Sequence, residues 1–327
     1  MSRKVKDCIV LLLVVCFCGC SGIPSLSASP SWKVTIKVVD QDAVPVEDAE
    51  VRVAWWIPSR TAPQQDRVIG LSDEDGLFTT DGESSGRLTF VVEKNGYYTS
   101  RINKFDFETT RLRRWMPWNP TVEIELKEIR NPVPMYANYF LSNIPKEETD
   151  IGFDLEKGDW VEPYGKGSIS DLIFYLTRRG ERWEDFEIRL EISFSNEGDG
   201  IQEVRVPDPP VSALRLDHLA PETGYHERYV RERYQTPERG REVGEDQERN
   251  FIFRVRSQID ASGNVIEAKY GKIHGDFHIS GSPLPRVGVG FLYYFNPDGT
   301  RNLEMNVADN LVPEKYRDHR RARLITP

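Results

Sequence analysis

Residues 34–53 read VTIKVVDQDAVPVEDAEVRV, and residues 71–98 read LSDEDGLFTTDGESSGRLTFVVEKNGYY. In both stretches apolar residues alternate with polar ones, and turns that contain Asp, Asn, Gly or Pro separate the runs. A period of two is typical of strands that bury one face, and such turns connect antiparallel strands. The two stretches therefore predict a set of short antiparallel strands.

The same pattern continues through the C-terminal part of the chain. Residues 186–194 read FEIRLEISF, in which apolar side chains alternate strictly with charged or hydroxyl ones. Further runs of this kind occupy residues 172–176, 251–255 and 287–295. Because helical periods are scarce, the sequence predicts an all-β protein whose second domain, residues 131–327, is mainly antiparallel.

Two segments of that second domain carry local predictions of their own. The turn residues 296–299 (NPDG) are followed by alternating Leu303, Met305 and Val307, which predicts a hairpin. Residues 222–250 are almost entirely charged or polar and predict an exposed loop, with one short helix near residues 227–234.

Composition restricts the compartment and the chemistry. The chain has 327 residues, a net charge of −9 and four cysteines, all within the first twenty positions. The folded body therefore has no cysteine for a disulfide or a thiolate nucleophile. An acidic protein has no general attraction to nucleic acid, so we expect no nucleic-acid partner.

The first twenty residues, MSRKVKDCIVLLLVVCFCGC, have a basic start, an apolar run and a small-residue end. This is the layout of a secretory signal peptide, predicted here for residues 1–19. The apolar run from Cys8 to Cys18 is shorter than the roughly 20 residues of a normal membrane span. Export is therefore expected.

Residues 17–21 (FCGCS) resemble a bacterial lipobox, in which a small residue precedes the acylated cysteine. Gly19 and Cys20 match, whereas Phe17 stands where Leu is usual. The resemblance implies a lipoprotein held by an acyl anchor on Cys20 at the cell envelope, in the periplasm or outer membrane of a Gram-negative cell. Residues 20–31 would then form a flexible tether. Ordinary cleavage within residues 25–29 is the alternative.

Residues 32–130 resemble the carboxypeptidase regulatory-like domain. The matching positions are Asp40, Pro45, Val46, Ala49, Val51, Asp73, Asp75, Gly76, Phe78, Lys94, Gly96 and Tyr97. Ala43 stands where Gly is usual, and residues 55–70 form a longer insertion than is typical. The resemblance implies a transthyretin-like (prealbumin-like) β-sandwich with a non-catalytic accessory role and no cofactor.

Four tryptophans are candidate ligand contacts, because exposed aromatic rings stack on glycans. They are Trp55 and Trp56 in the insertion, and Trp115 and Trp118 in a basic, aromatic segment, residues 111–118. The alternative is that the tryptophans pack on the sandwich while the neighbouring arginines pair with acids.

A weaker candidate is a metal site formed by His274, Asp276 and His278, which alternate and would share one face of a strand. The alternative is a polar stripe facing solvent, because residues four apart on a strand lie about 13 Å apart. Asp154, Asp159 and Asp171 are either an acid cluster for hydrolysis or turn-forming residues.

We therefore expect an exported, lipid-anchored envelope protein that acts as a non-catalytic interaction or structural module. Its expected partners are the membrane, through Cys20, and an envelope protein or a glycan. The first alternative is a glycan-binding or other ligand-binding protein that uses the exposed tryptophans. A metal-dependent hydrolase is the second alternative.

Overall fold

The computed structural model describes residues 29–57, 64–281, 286–312 and 327. Cys20, the predicted signal peptide and most of the predicted tether lie outside these residues. The described residues form strands, turns and irregular segments without a helix, which confirms the all-β prediction. No helix in this part of the chain is long and apolar enough to cross a membrane.

Nine strands form the N-terminal sandwich. They are β1 (Ser31–Asp40), β2 (Glu50–Ile57), β3 (Gln64–Leu71), β4 (Leu77–Glu83), β5 (Arg87–Glu93), β6 (Ser100–Asp106), β7 (Thr109–Arg111), β8 (Arg114–Met116) and β9 (Thr121–Leu126). One sheet has the order β3-β2-β5-β6, so the predicted insertion continues β2 and supplies the edge strand β3.

Strand β1 is the centre of the other sheet of this sandwich. It pairs with β4 in antiparallel fashion on one side. On its other side it pairs in parallel with β8, at Ser31, and then with β9, from Thr35 to Asp40. The alternating apolar residues of β1, among them Val34, Ile36 and Val38, are fully buried against the facing sheet.

The turn that was prominent in the sequence, residues 73–76, joins β3 to β4. The Asp73 carboxylate accepts hydrogen bonds from the backbone amides of Asp75 and Leu77. Gly76 has φ +73°, and a Cβ there would lie 2.4 Å from the carbonyl oxygen of Val38. Only glycine fits this turn without displacing the backbone.

Eleven strands form the C-terminal sandwich. They are β10 (Tyr136–Asn143), β11 (Ile151–Asp154), β12 (Asp159–Trp160), β13 (Leu172–Arg182), β14 (Asp185–Ser193), β15 (Gly200–Arg205), β16 (Arg228–Thr236), β17 (Gly240–Glu242), β18 (Arg249–Ile259), β19 (Val265–Ser280) and β20 (Gly288–Asn296). The two antiparallel sheets have the orders β10-β20-β19-β18-β15 and β12-β11-β13-β14-β16-β17.

An aromatic core lies between these two sheets. Phe153 is at its centre, with ring centroids 4.6–5.6 Å from Phe140, Trp160 and Phe291. The inward residues of β14, which alternate as the sequence predicted, are buried in the same cluster. The alternation of apolar residues therefore identified the buried face correctly.

The charged segment 222–250 was predicted as a loop with a helix, and that prediction is wrong. Residues 228–236 form β16, which pairs with β14 along its whole length. Arg231 lies opposite the buried Leu190, and its guanidinium is 2.9 Å from the carboxylate of Asp276. Because this inward-facing arginine is neutralised by an aspartate across the core, β16 has a polar sequence that resembles that of a loop.

The predicted hairpin after residues 296–299 is also wrong. Leu303 and Met305 are buried, but they form only isolated bridges or loop contacts and lie over the outer face of the β10–β15 sheet. Residues 206–226 cover the rest of this face. The alternation of apolar residues therefore indicated correctly that Leu303 and Met305 are buried, although this segment does not pair as a strand.

Candidate functional site

Two of the four candidate tryptophans belong to the core of the N-terminal sandwich. Trp55 is 7% exposed and meets Trp32 edge to face at 4.9 Å. Trp115 is half-buried against Phe107, and its Nε1 donates a hydrogen bond to the carbonyl oxygen of Ser84 at 3.0 Å. These two indoles offer no open face for a ligand.

Trp56 and Trp118 are exposed, at 49% and 38%, but Trp56 lies on β2 of one sheet and Trp118 follows β8 of the other. Trp56 must face away from Trp55 because side chains alternate along β2. Trp118 follows β8 and lies under the guanidinium of Arg114, 4.9 Å from its ring. The four candidate tryptophans therefore do not share one binding surface.

The predicted metal site is wrong as well. A bulge between His274 and His278, with Gly275 at φ +82°, breaks the register of β19 against β20. Asp276 accepts a hydrogen bond from Arg249 and lies beside Arg231, while His278 pairs with Glu245. Within the described residues no group of three metal-ligating side chains converges.

The three aspartates around residues 165–168 organise loops. The Asp154 carboxylate accepts hydrogen bonds from the amides of Glu156, Lys157 and Ser168. Asp159 accepts one from the amide of Lys166. The turn-forming interpretation is confirmed for this pair.

Asp171 closes the sandwich edge with a buried ion pair. Its carboxylate contacts Arg256 at 2.7 and 2.9 Å, and burial raises its pKa although the guanidinium opposes that shift. Arg256 also binds Glu156. An acid that is already bound by arginine is a poor general base, so this cluster offers no hydrolytic centre.

A groove at one end of the C-terminal sandwich is the better candidate for a ligand site. We call it the end groove. It has a volume of about 620 Å³ and is lined by Ser142, Asn143, Ile144, Pro145, Lys146, Glu147, Trp160, Tyr164, Arg286 and Val287. That volume is within the range of small-molecule sites in proteins, about 300–1,000 Å³.

Three chain segments form the walls of the end groove. The first is the end of β10 and the crossing that follows it, fixed where the Ile144 amide donates to the carbonyl of Val287. The second is the turn after β12, which carries Tyr164. The third is the start of β20 with Arg286 beside it. Because ladder hydrogen bonds hold two of these walls, the groove exists without a ligand.

Aromatic residues supply the apolar part of the groove. Tyr164 is 41% exposed, whereas Trp160 is 3% exposed and packs edge to face on Phe140 at 5.0 Å. The buried Nε1 of Trp160 has no hydrogen-bond partner among the described residues. A buried indole N–H usually finds an acceptor, but those of Trp32 and Trp55 also lack one, so this donor does not distinguish the groove.

Polar groups of both signs surround these rings. Lys146 and Arg286 are exposed, and Glu147 is held by Arg178 at 3.0 Å. Asn143 adds an exposed amide. The groove therefore combines an aromatic surface with several hydrogen-bond donors and acceptors, which suits a polar ligand with hydroxyl groups.

The sequence contained little that could have located this groove. Its residues come from three separated segments, and none of those segments shows a known motif. The only local indication is that residues 160–167 (WVEPYGKG) are aromatic and bear two glycines.

A second polar site, the interdomain cluster, lies where the two sandwiches meet. The buried Glu304 carboxylate accepts hydrogen bonds from Tyr98 Oη at 3.1 Å and from the amides of Arg130 and Asn131 at 2.9 and 2.8 Å. Burial, together with the nearby Glu304 carboxylate, raises the pKa of Tyr98. His218 Nε2 donates to the carbonyl of Glu128 at 2.7 Å.

Lys272 and His274 extend this cluster under the covering segments. Lys272 is fully buried, and its Nζ has no hydrogen-bond partner in the described part of the chain. Burial and the nearby Lys127 lower the pKa of Lys272 to about 7. Burial likewise lowers the pKa of His274, whose ring lies 4.5 Å from that of Tyr294. The Lys272 and His274 side chains are both buried, and neither lines the end groove.

Scans of the sequence found no matching family model and no matching curated relative. Solved structures with some similarity include a 3-chlorocatechol 1,2-dioxygenase from Rhodococcus opacus, at 14% identity and a TM-score of 0.26 over 32% of this chain. The match spans 62% of the dioxygenase chain.

Two other solved structures are similar over larger parts of this chain. A candidate carbohydrate-binding protein from Bacteroides uniformis matches at 10% identity and a TM-score of 0.19, over 81% of this chain and 99% of its own. A shaft pilin from Lactobacillus rhamnosus GG matches at 9% identity and a TM-score of 0.22, over 70% and 89% of the two chains. At these scores the similarity carries nothing about activity.

Proposed function

We propose that the chain is a non-catalytic binding protein of the cell envelope that takes a short glycan in the end groove. The observation that carries this proposal is the exposed ring of Tyr164 beside polar groups of both signs in a preformed groove. The C–H face of a sugar stacks on an aromatic ring, while its hydroxyls need donors and acceptors around the rim.

The neighbouring side chains support a sugar rather than a purely apolar ligand. Lys146, Glu147 and Asn143 line the same groove and offer hydrogen-bond donors and acceptors to the hydroxyl groups of a sugar. A non-catalytic role agrees with the arginine-bound states of Asp171 and Asp276, the buried acids that sequence reasoning had offered for chemistry.

Replacing Tyr164 with alanine should weaken oligosaccharide binding about tenfold, because an aromatic stacking contact contributes roughly 0.5–1.5 kcal/mol. Binding is first found with an array of tetrasaccharides of glucose, xylose, mannose and N-acetylglucosamine, and the best binder is measured by calorimetry. Tyr139→Ala is the matched control, since Tyr139 is 36% exposed on β10 and does not line the groove. Equal affinities for wild type and Tyr164→Ala would refute the site.

The proposed location rests on acylation of Cys20. Cys20→Ala should reduce incorporation of labelled palmitate to background when the full chain is expressed in a bacterium, because the anchoring thiol is then absent. Cys18→Ala is the matched control and should keep its label. Undiminished labelling of Cys20→Ala would show that acylation, if any, occurs elsewhere.

A further inference from the structure

The hairpin of β7 and β8 ends in an exposed basic tip, which we define as residues 111–114. Leu112 at its apex is 89% exposed, more than any other large apolar side chain in the described residues. It lies between Arg111 and Arg113, and Arg114 follows. A lone exposed leucine needs no explanation. Leu112, however, is flanked in sequence by three arginines at the end of a hairpin, so an apolar side chain and three positive charges share one exposed tip.

The backbone of the basic tip is strained. Leu112 and Arg113 have φ of 49° and 61°, which is the left-handed region at both central positions of a two-residue turn. Such turns favour Asn-Gly or Gly-Gly, because bulky side chains are disfavoured at positive φ. Leu112 and Arg113 are therefore both unfavourable residues for the conformation that this turn adopts. Backbone strain of this kind is often found at functional sites.

The charge of the basic tip contrasts with that of the chain. The chain carries a net charge of −9, yet Arg111, Arg113 and Arg114 are all exposed. Among the residues that the structure describes, no ion pair involves Arg111 or Arg114, and Arg114 instead lies over the exposed Trp118. Glu108 lies at the base of the hairpin and does not neutralise its end.

The position of the tip relates it to the leader. The amide of Ser31, at the start of β1, donates to the carbonyl of Arg113 at 3.0 Å, and Ser31 also pairs with Arg114. Ten residues lie between Cys20 and Ser31, so eleven Cα–Cα steps join them. Even fully extended, they span no more than about 40 Å. An acyl chain on Cys20 would therefore hold the basic tip close to the bilayer.

We propose that the basic tip binds the surface of an anionic membrane. Arg111, Arg113 and Arg114 contact lipid phosphates, Leu112 enters the acyl boundary and Trp118 lies at headgroup level, where tryptophan is favoured. Attraction to anionic lipid is local, because salt screens charges beyond about 8 Å, so the acidic remainder of the chain opposes it little. This surface is on the N-terminal sandwich and is independent of the end groove.

The test is sedimentation of the full chain with vesicles of phosphatidylcholine alone or with 30% phosphatidylglycerol. The triple variant Arg111→Gln, Arg113→Gln, Arg114→Gln should bind the anionic vesicles about 100-fold more weakly, at about fivefold per arginine, and the neutral vesicles unchanged. The matched control removes three other exposed arginines through Arg67→Gln, Arg101→Gln and Arg241→Gln, and should stay within twofold of wild type.

A second variant separates binding from folding. Leu112→Gly suits the positive φ, so its melting temperature should not fall, yet its binding to anionic vesicles should weaken about tenfold because the inserted side chain is lost. Equal binding of wild type and the triple variant to anionic vesicles would overturn the proposal. So would retention on an acidic polysaccharide without any response to anionic vesicles.

Discussion

Replacing Glu304 with alanine is expected to lower the free energy of unfolding by about 3–5 kcal/mol. The carboxylate is 1% exposed and accepts hydrogen bonds from Tyr98 Oη and from the amides of Arg130 and Asn131. A hydrogen bond to a charged group contributes about 1.5–3 kcal/mol, and donors left buried without an acceptor cost more. Urea unfolding followed by tryptophan fluorescence measures the change.

The structure supplies a matched control for this variant. Glu123 is 59% exposed and pairs with Lys37 at 3.0 Å, so Glu123→Ala should cost less than about 1 kcal/mol. If Glu304→Ala unfolds at the same urea concentration as Glu123→Ala, the carboxylate does not hold the two sandwiches together. Glu304→Gln should give an intermediate loss, because its amide oxygen still accepts from part of the set.

Replacing Lys272 with methionine is expected to stabilise the protein by about 4 kcal/mol at pH 7. The Lys272 side chain is fully buried, and its Nζ lies 5.1 Å from the Tyr294 ring but has no hydrogen-bond partner in the described part of the chain. The folded state therefore disfavours the charged amine. Its pKa is lowered to about 7, and each unit of such a difference corresponds to about 1.4 kcal/mol. Methionine has a similar volume and no charge to desolvate.

The same residue predicts a pH dependence with a definite sign. Between about pH 7 and the ordinary lysine pKa near 10.4, the unfolded chain binds a proton that the folded chain does not. The stability of the wild type should therefore rise with pH across this window and stay level, with respect to Lys272, below it. Lys272→Met should lose this slope.

A control variant tests whether the effect belongs to the buried site. Lys104 has a side chain that is 62% exposed, so Lys104→Met should leave both the stability at pH 7 and the slope nearly unchanged. Thermal unfolding at intervals from pH 6.5 to pH 10 gives both quantities. A Lys272→Met variant that is less stable than wild type, with the slope intact, would contradict the prediction.

The sequence predicted the strands wherever one face was apolar and the other polar. Strands β1, β5 and β14 follow this rule, and their turns carry the expected Asp and Gly residues. It misled at β16, because Arg231 faces inward and is neutralised by Asp276 from the opposite sheet. A polarity rule cannot anticipate a partner that is 45 residues away in the chain.

The candidate sites were harder to predict for a related reason. Trp55 and Trp56 are adjacent in sequence, yet one is core and the other surface, because they occupy opposite faces of β2. The end groove draws on three segments that only the crossing between the two sheets brings together. Likewise, the sequence around Lys272 suggests a polar, solvent-facing side of a strand. In the structure, residues 206–226 and 302–312 cover that face and bury the lysine.

The parallel pairing of β1 with β9 has a mechanical consequence. If the chain is anchored at its leader and a ligand is bound on the C-terminal sandwich, tension enters at the start of β1 and leaves at the end of β9. The two strands are then pulled in opposite directions along their common axis. The bonds of the six residue pairs from Thr35–Thr121 to Asp40–Leu126 stretch together and share the load, whereas a ladder pulled from one end opens one bond at a time.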